Sequence, residues 1–332
     1  MSPKSDRAEH TAAAGSIKPD RHFLPDYYAH VPTEEVQNYS TETLRARAVH
    51  LSVASSRRPG QAAVGILNEL EASIVAVVTE DLPYLVQSVM AELAREDASI
   101  RLLVHPTFQV LRDPDSHTLL DVRPGPSREG LLEESVPPAR GTSETWVAME
   151  IGKLADEAAE SELTERLQRV LDDVRIVAED AAAIHGKVSE AVTSVDGFPQ
   201  AVVPPPEQLH QLLLWLDDGN FLFFGYTEYE LTTAGGQELL SERQSSPLGL
   251  LRRPVGGAAG MTAPGLLRTC GCQALTVAIS EIRSTVLRRS YLDELRLQVF
   301  NEAGRVTGEH GHTVGQPMER AGTGHRSSHP DT

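Results

Sequence analysis

Positive charge is scarce in this chain of 332 residues: 30 lysines and arginines stand against 47 aspartates and glutamates, a net charge of −17 at pH 7. A phosphate backbone or an anionic membrane surface demands the opposite sign, so neither a nucleic-acid nor a membrane partner is expected. Cysteine is nearly absent. Cys270 and Cys272 cannot build a disulfide framework, and C-x-C without a nearby histidine lacks metal-ligand spacing, so no metal site is expected. No apolar run approaches the ~20 residues a membrane-spanning helix needs. The opening MSPKSDRAEHTAAAGS has no apolar signal-peptide core, which makes a cytoplasmic protein the expectation. Also missing are G-x-G-x-x-G, the P-loop, the G-x-S-x-G elbow and any H-x-x-x-H pair. Neither catalytic nor cofactor-binding residues are therefore expected in this chain.

What is present centres on residues 72–114. Ala72 to Thr79 is a β-branched apolar run suited to a buried strand, ended by Glu80 and Asp81. Asp81 is placed to cap a helix with Pro83 in its first turn. Leu82, Leu85, Val86, Val89, Met90 and Leu93 recur at three- and four-residue spacing, one apolar helix face. Ile100 to Arg112 returns to strand, with a bend at Pro106. Thr118 to Val122 pairs back as a hairpin, Pro124 to Thr142 is a loop, and Glu144 to Ile151 alternates as a strand. A helix is expected over Glu160 to about Val192. This order predicts an α+β sandwich with helices on one face of an antiparallel or mixed sheet.

Around that unit, residues 1–20 are expected to be disordered and 21–60 to form a helical arm, stopped by Arg57-Arg58-Pro59-Gly60. Residues 61–200 form the first domain. Pro204-Pro205-Pro206 marks the clearest boundary, followed by a short helix through Leu209, Leu212, Leu213 and Leu216. Phe221 to Leu231 holds three of seven phenylalanines and two of seven tyrosines, so 206–310 is expected to have its own core. Further strands are expected at Leu275 to Ile279 and Leu295 to Phe300, with loops at 235–236 and 247–265. From Gly311 periodicity vanishes, and 311–332 reads as a disordered tail.

Three positions stand above a background of solvated charge. Asp81 is either a cap or a ligand contact; His105, before Pro106, is either a titrating or a structural histidine; Arg112 with Asp113 reads as a strand-end ion pair. The turn Glu80, Asp81, Leu82, Pro83 offers exposed N–H groups at a helix start, where a small carboxylate can bind. The candidate effector-binding turn therefore comprises Glu80, Asp81, Leu82 and Pro83 with His105 and Arg112.

EDLPYLVQSV followed by LLVHPTFQVLRD resembles the N-terminal region of the large bacterial NAD-dependent glutamate dehydrogenases, and ETWVAMEI, VLDDVRIVAED, LLLWLDDGNFLFFGYTEYEL, PLGLLR and STVLRRSYLDELRLQVFNEAGRVTGEH continue it in order over about residues 21 to 310. Gln87 departs from the family's usual Asp, Leu287 from its His and Tyr84 from a common Phe, and GHTVGQP replaces a hydrophobic segment after His310. The resemblance implies tandem ACT-like (ferredoxin-like) domains, the second incomplete. It also implies a full-length enzyme that uses NAD to deaminate L-glutamate, assembles as a homo-oligomer and responds to an amino-acid effector. This chain is then expected to be a regulatory and assembly fragment, inactive by itself, its catalytic portion beyond a frameshift or truncation near residue 311. A stand-alone ACT-like amino-acid sensor is the alternative; an enzyme in its own right is disfavoured by the missing motifs.

Overall fold

The computed structural model describes residues 27–28, 42–96, 100–125, 141–234, 237–253 and 273–315. Cys270, Cys272, residues 1–20 and the end of the chain from 316 lie outside them. The described residues divide into two compact units, one comprising Met1–Arg175 with Thr285–Arg289, the other Ile176–Ser284 with Ser290–Thr332. Each is built on an antiparallel sheet, which makes the chain α+β as expected.

In the first unit, helix α1 (Glu42–Ser56) precedes strands β1 (Ala63–Asn68) and β2 (Ala72–Glu80), then α2 (Leu85–Leu93), β3 (Leu102–Val104), β4 (Thr107–Arg112), β5 (Leu119–Pro124) and β6 (Thr142–Gly152). The sheet order is β1-β2-β6-β4-β5, with β3 also paired to β6. The break at Pro106 separates β3 from β4, and β4 and β5 form the expected hairpin. Helices lie on both faces, correcting the one-face expectation. Ile74, Ala76, Val78, Trp146 and Ala148 pack with Val53 and Ala54 of α1. Val75, Val77, Val147 and Met149 pack with Leu85, Val89 and Leu93 of α2 and Leu163 and Leu167 of helix α3 (Glu157–Ser194). The strands β2 and β6 carry apolar residues on both sides for this reason. Strand β1 escaped the sequence reading because it is half-buried throughout. Its Gly65 lets α1 come close, since a Cβ there would collide with the Val53 side chain.

The second unit holds the rest of α3, α4 (Pro206–Trp215), β7 (Phe223–Ala234), β8 (Gln237–Glu242), β9 (Leu248–Gly249), β10 (Leu275–Arg283), β11 (Tyr291–Phe300) and β12 (Val306–Val314). The division between units falls within α3, at Arg175 and Ile176. The order is β10-β11-β12-β7-β8, with β9 on β7. Ala191, Val192, Leu209 and Leu213 of the helices pack on Leu275, Leu295, Leu297 and Val314 of the sheet. The expected loss of structure at Gly311 is corrected here: Gly311 to Val314 are strand, paired to both β7 and β11. Likewise Leu248–Gly249 is strand within the expected loop.

Candidate functional site

Strand alternation decides what the expected effector turn looks like. Successive residues of β2 point to opposite faces, so Glu80 and Asp81 part company. Glu80 turns to the α1 side, where its Oε1 accepts from Arg57 Nη2 at 2.8 Å and from Gly60 N at 3.0 Å. Arg57 also pairs with the buried Glu144 through Nη1. Arg112 joins the same carboxylate, with Nε 2.9 Å from Oε1 and Nη2 3.1 Å from Oε2. Its remaining donors reach the carbonyls of Ala54, Arg57 and His117. Trp146 Nε1 donates to Glu144 Oε2 at 3.2 Å. Two guanidiniums and two carboxylates thus close the C-terminal end of α1 onto the sheet, a paired arrangement that burial demands.

This overturns the pairing of Arg112 with Asp113. Asp113 instead organises its turn, its Oδ1 accepting from the N–H groups of Asp115 and Ser116 and from Ser116 Oγ. Those bonds hold its carboxyl below the usual range, the Ser116 N–H contributing most. His105 is half-buried in the break between β3 and β4.

Asp81 turns to the α2 side. Its Oδ1 accepts from Thr145 Oγ1 at 2.8 Å, and its backbone N–H reaches Ser143 O. It is not a helix cap: α2 begins at Leu85, the cap position is Tyr84 at φ 65°, and no side chain caps it. Pro83 and Tyr84 form the turn ahead of the helix. The first helical bond runs from Ser88 N to Tyr84 O, which leaves the N–H groups of Leu85, Val86 and Gln87 ahead of the ladder. The structure therefore groups Asp81, Leu82 and Pro83 at the start of α2, and Glu80 with Arg112 on the opposite face.

What the residue-by-residue reading missed is the partner of α2. The short stretch Thr285–Arg289 belongs to the first unit. Leu287 N donates to Ser88 Oγ at 2.8 Å, while that hydroxyl donates to Tyr84 O at 2.7 Å. The buried Glu92 pairs with Arg166 Nε at 3.0 Å and Arg289 Nη1 at 3.3 Å. Thr285 Oγ1 donates to Asp173 Oδ2 at 2.5 Å, and Val286 is fully buried. Tyr84 and Leu287 both hold positive φ. The signal was present: EDLPYLVQSV and STVLRRSY are both stretches that carry the resemblance, but nothing local says that they meet.

Among the described residues no group of three or more His, Cys, Asp or Glu is arranged to hold a metal ion, and no helix is long and apolar enough to cross a membrane. Comparison with known proteins gives the following. A family model described as "Glutamate dehydrogenase, ACT1 domain" matches residues 23–167. An NAD-specific glutamate dehydrogenase of Halomonas elongata is 27% identical over 311 residues, covering 86% of this chain and 18% of the relative. The enzyme of the same name from Mycobacterium tuberculosis is 27% identical over 64% of this chain and 13% of its own length. That of Pseudomonas aeruginosa is 31% identical over 54% and 10%. The chain thus spans less than a fifth of the length of these curated relatives.

Proposed function

We propose that this chain, similar over most of its length to NAD-specific glutamate dehydrogenases and matching their ACT1 domain over residues 23–167, is the regulatory and assembly portion of such an enzyme. The observation that carries the reading is the ordered similarity over 86% of the chain, with two antiparallel sheets in support. In this reading the two units, divided within α3, are tandem ACT-like domains, and the assembly is a cytoplasmic homo-oligomer. The reaction of the whole enzyme converts L-glutamate, NAD and water to 2-oxoglutarate, ammonia and NADH. The turn between β2 and α2 carries Asp81, Pro83 and Tyr84 where a dinucleotide phosphate requires glycine. It does not fit NAD, and no step of hydride transfer is assigned to this chain.

The regulatory ligand is an amino acid at the start of α2. The N–H groups ahead of the helical ladder and the helix dipole favour its carboxylate, and Asp81, exposed and not spent as a cap, favours its ammonium. Titration calorimetry of the purified chain with glutamate, aspartate and other amino acids tests this. A saturable isotherm below about 1 mM, roughly −4 kcal/mol, that Asp81→Ala abolishes is the expected result. An isotherm untouched by Asp81→Ala removes the turn as the site. Reduction of NAD by the pure chain with L-glutamate would overturn the division of labour itself.

A further inference from the structure

The second sheet has a face that the helices do not use. Leu295 and Leu297 of β11 lie in the core beneath α3 and α4, so alternation places Glu294, Arg296 and Gln298 on the opposite side. Register extends that side across β12 and β7: Gln298 stands opposite Glu309, Glu309 opposite Tyr229, and Arg296 opposite Gly311. Gly311 leaves a dent. A Cβ there would meet Tyr229 Cε2 at 3.1 Å and Glu294 Oε1 at 3.4 Å, so both side chains lean over it. Tyr229 stacks on the Arg296 guanidinium at 5.1 Å, and Glu294 holds that guanidinium through Nε at 3.0 Å and Nη2 at 3.1 Å.

Beside this assembled trio sit two acceptors with nothing to accept from. Glu309 is 3% and Gln298 7% exposed, yet Glu309 Oε2 and Gln298 Oε1 have no hydrogen-bond partner among the described residues. Directly opposed residues hold their Cβ atoms about 5 Å apart, so both side chains start from one place on the sheet. With Glu294 and Glu309 against a single Arg296, carboxylates outnumber cations there. Burial pushes the Glu309 carboxyl above its usual range, with Glu294 adding to the rise and Arg296 opposing it.

We propose that this face binds a small molecule with a primary ammonium or guanidinium head, its N–H donors shared between Glu309 and Gln298. The inference is independent of the amino-acid site at α2, which takes its ligand by both charges. The full chain is titrated with L-lysine, putrescine and methylguanidine, with acetate as the anionic control, following heat and the side-chain amide resonance of Gln298. Saturable binding of the cations, accompanied by movement of that resonance, and no response to acetate are expected. Glu309→Gln should weaken binding about tenfold or more, the weight of one charge-assisted bond. Gln298→Met keeps the shape, removes one acceptor and serves where Glu309→Gln does not fold. Absence of saturable binding would mean that the Gln298 amide and Glu309 satisfy one another, and the proposal falls. Binding that neither substitution changes also overturns it. Loss of cation binding on Asp81→Ala would place the ligand at α2 instead.

Discussion

At the scale of single residues, the first unit depends on a histidine that folding keeps neutral near pH 7. His50 of α1 is fully buried, its Nε2 2.8 Å from Val147 O and its Nδ1 2.5 Å from the Tyr27 hydroxyl. A carbonyl only accepts, so Nε2 carries the proton and Nδ1 accepts from Tyr27. Desolvation lowers the pKa from 6.5 to about 4. The folded state thus binds this proton less readily than the unfolded one, so the contribution to stability is whole above pH 6.5 and is lost as pH falls toward 4. By pH 4 the loss reaches about 3 kcal/mol. His312, buried in the second unit beside Phe223 and Tyr226 and lowered to about 3, acts in the same sense over a wider window. Denaturant melts of wild type and His50→Gln between pH 7 and 4 check this. The substitution should remove close to one proton from the pH dependence; identical slopes would show His50 to be charged or exposed.

At the scale of elements, the sequence told helix faces well and partners poorly. Leu85, Val89 and Leu93 were legible as one face from spacing alone, and all three are buried against β2 and β6. Val89→Asp should therefore put an unpaired carboxylate in that core and cost several kcal/mol. Thermal unfolding followed by near-ultraviolet dichroism reads it, and a wild-type melt would mean that α2 faces water. By contrast, Arg112 reads locally as a partner of Asp113 and is spent on Glu144, 32 residues away. Asp81 has a cap's identity and position, yet Tyr84 takes the left-handed turn and Thr145 takes the carboxylate. Strand β12 was missed for a related reason. Its EHGHTV places histidines on the helix side and Glu309 and Thr313 on the other, an alternation that hydropathy does not register.

At the scale of the whole molecule, strands β2 to β7, β10 and β11 were legible, while β1, β8, β9, β12 and the assignment of Thr285–Arg289 to the first unit were not. Patterns of spacing report on neighbours in sequence, and this contact joins stretches about two hundred residues apart. Val286→Asp in the full chain should open the first unit: hydrogen exchange of the α2 amides should quicken, consistent with loss of about 2 kcal/mol or more of buried side chain. Unchanged α2 protection would mean that the stretch merely rests on the surface.

That late contribution has a consequence for synthesis. Arg175, the last residue of the first unit's main stretch, leaves the ribosome about 110 residues ahead of Arg289, a lag of roughly 5–20 s at ordinary elongation rates. During that interval Glu92 lacks Arg289, Ser88 lacks the N–H of Leu287, and the place of Val286 stands open to water. The nascent first unit therefore stays unfinished until the intervening residues of the second unit have been made and Thr285–Arg289 follow them.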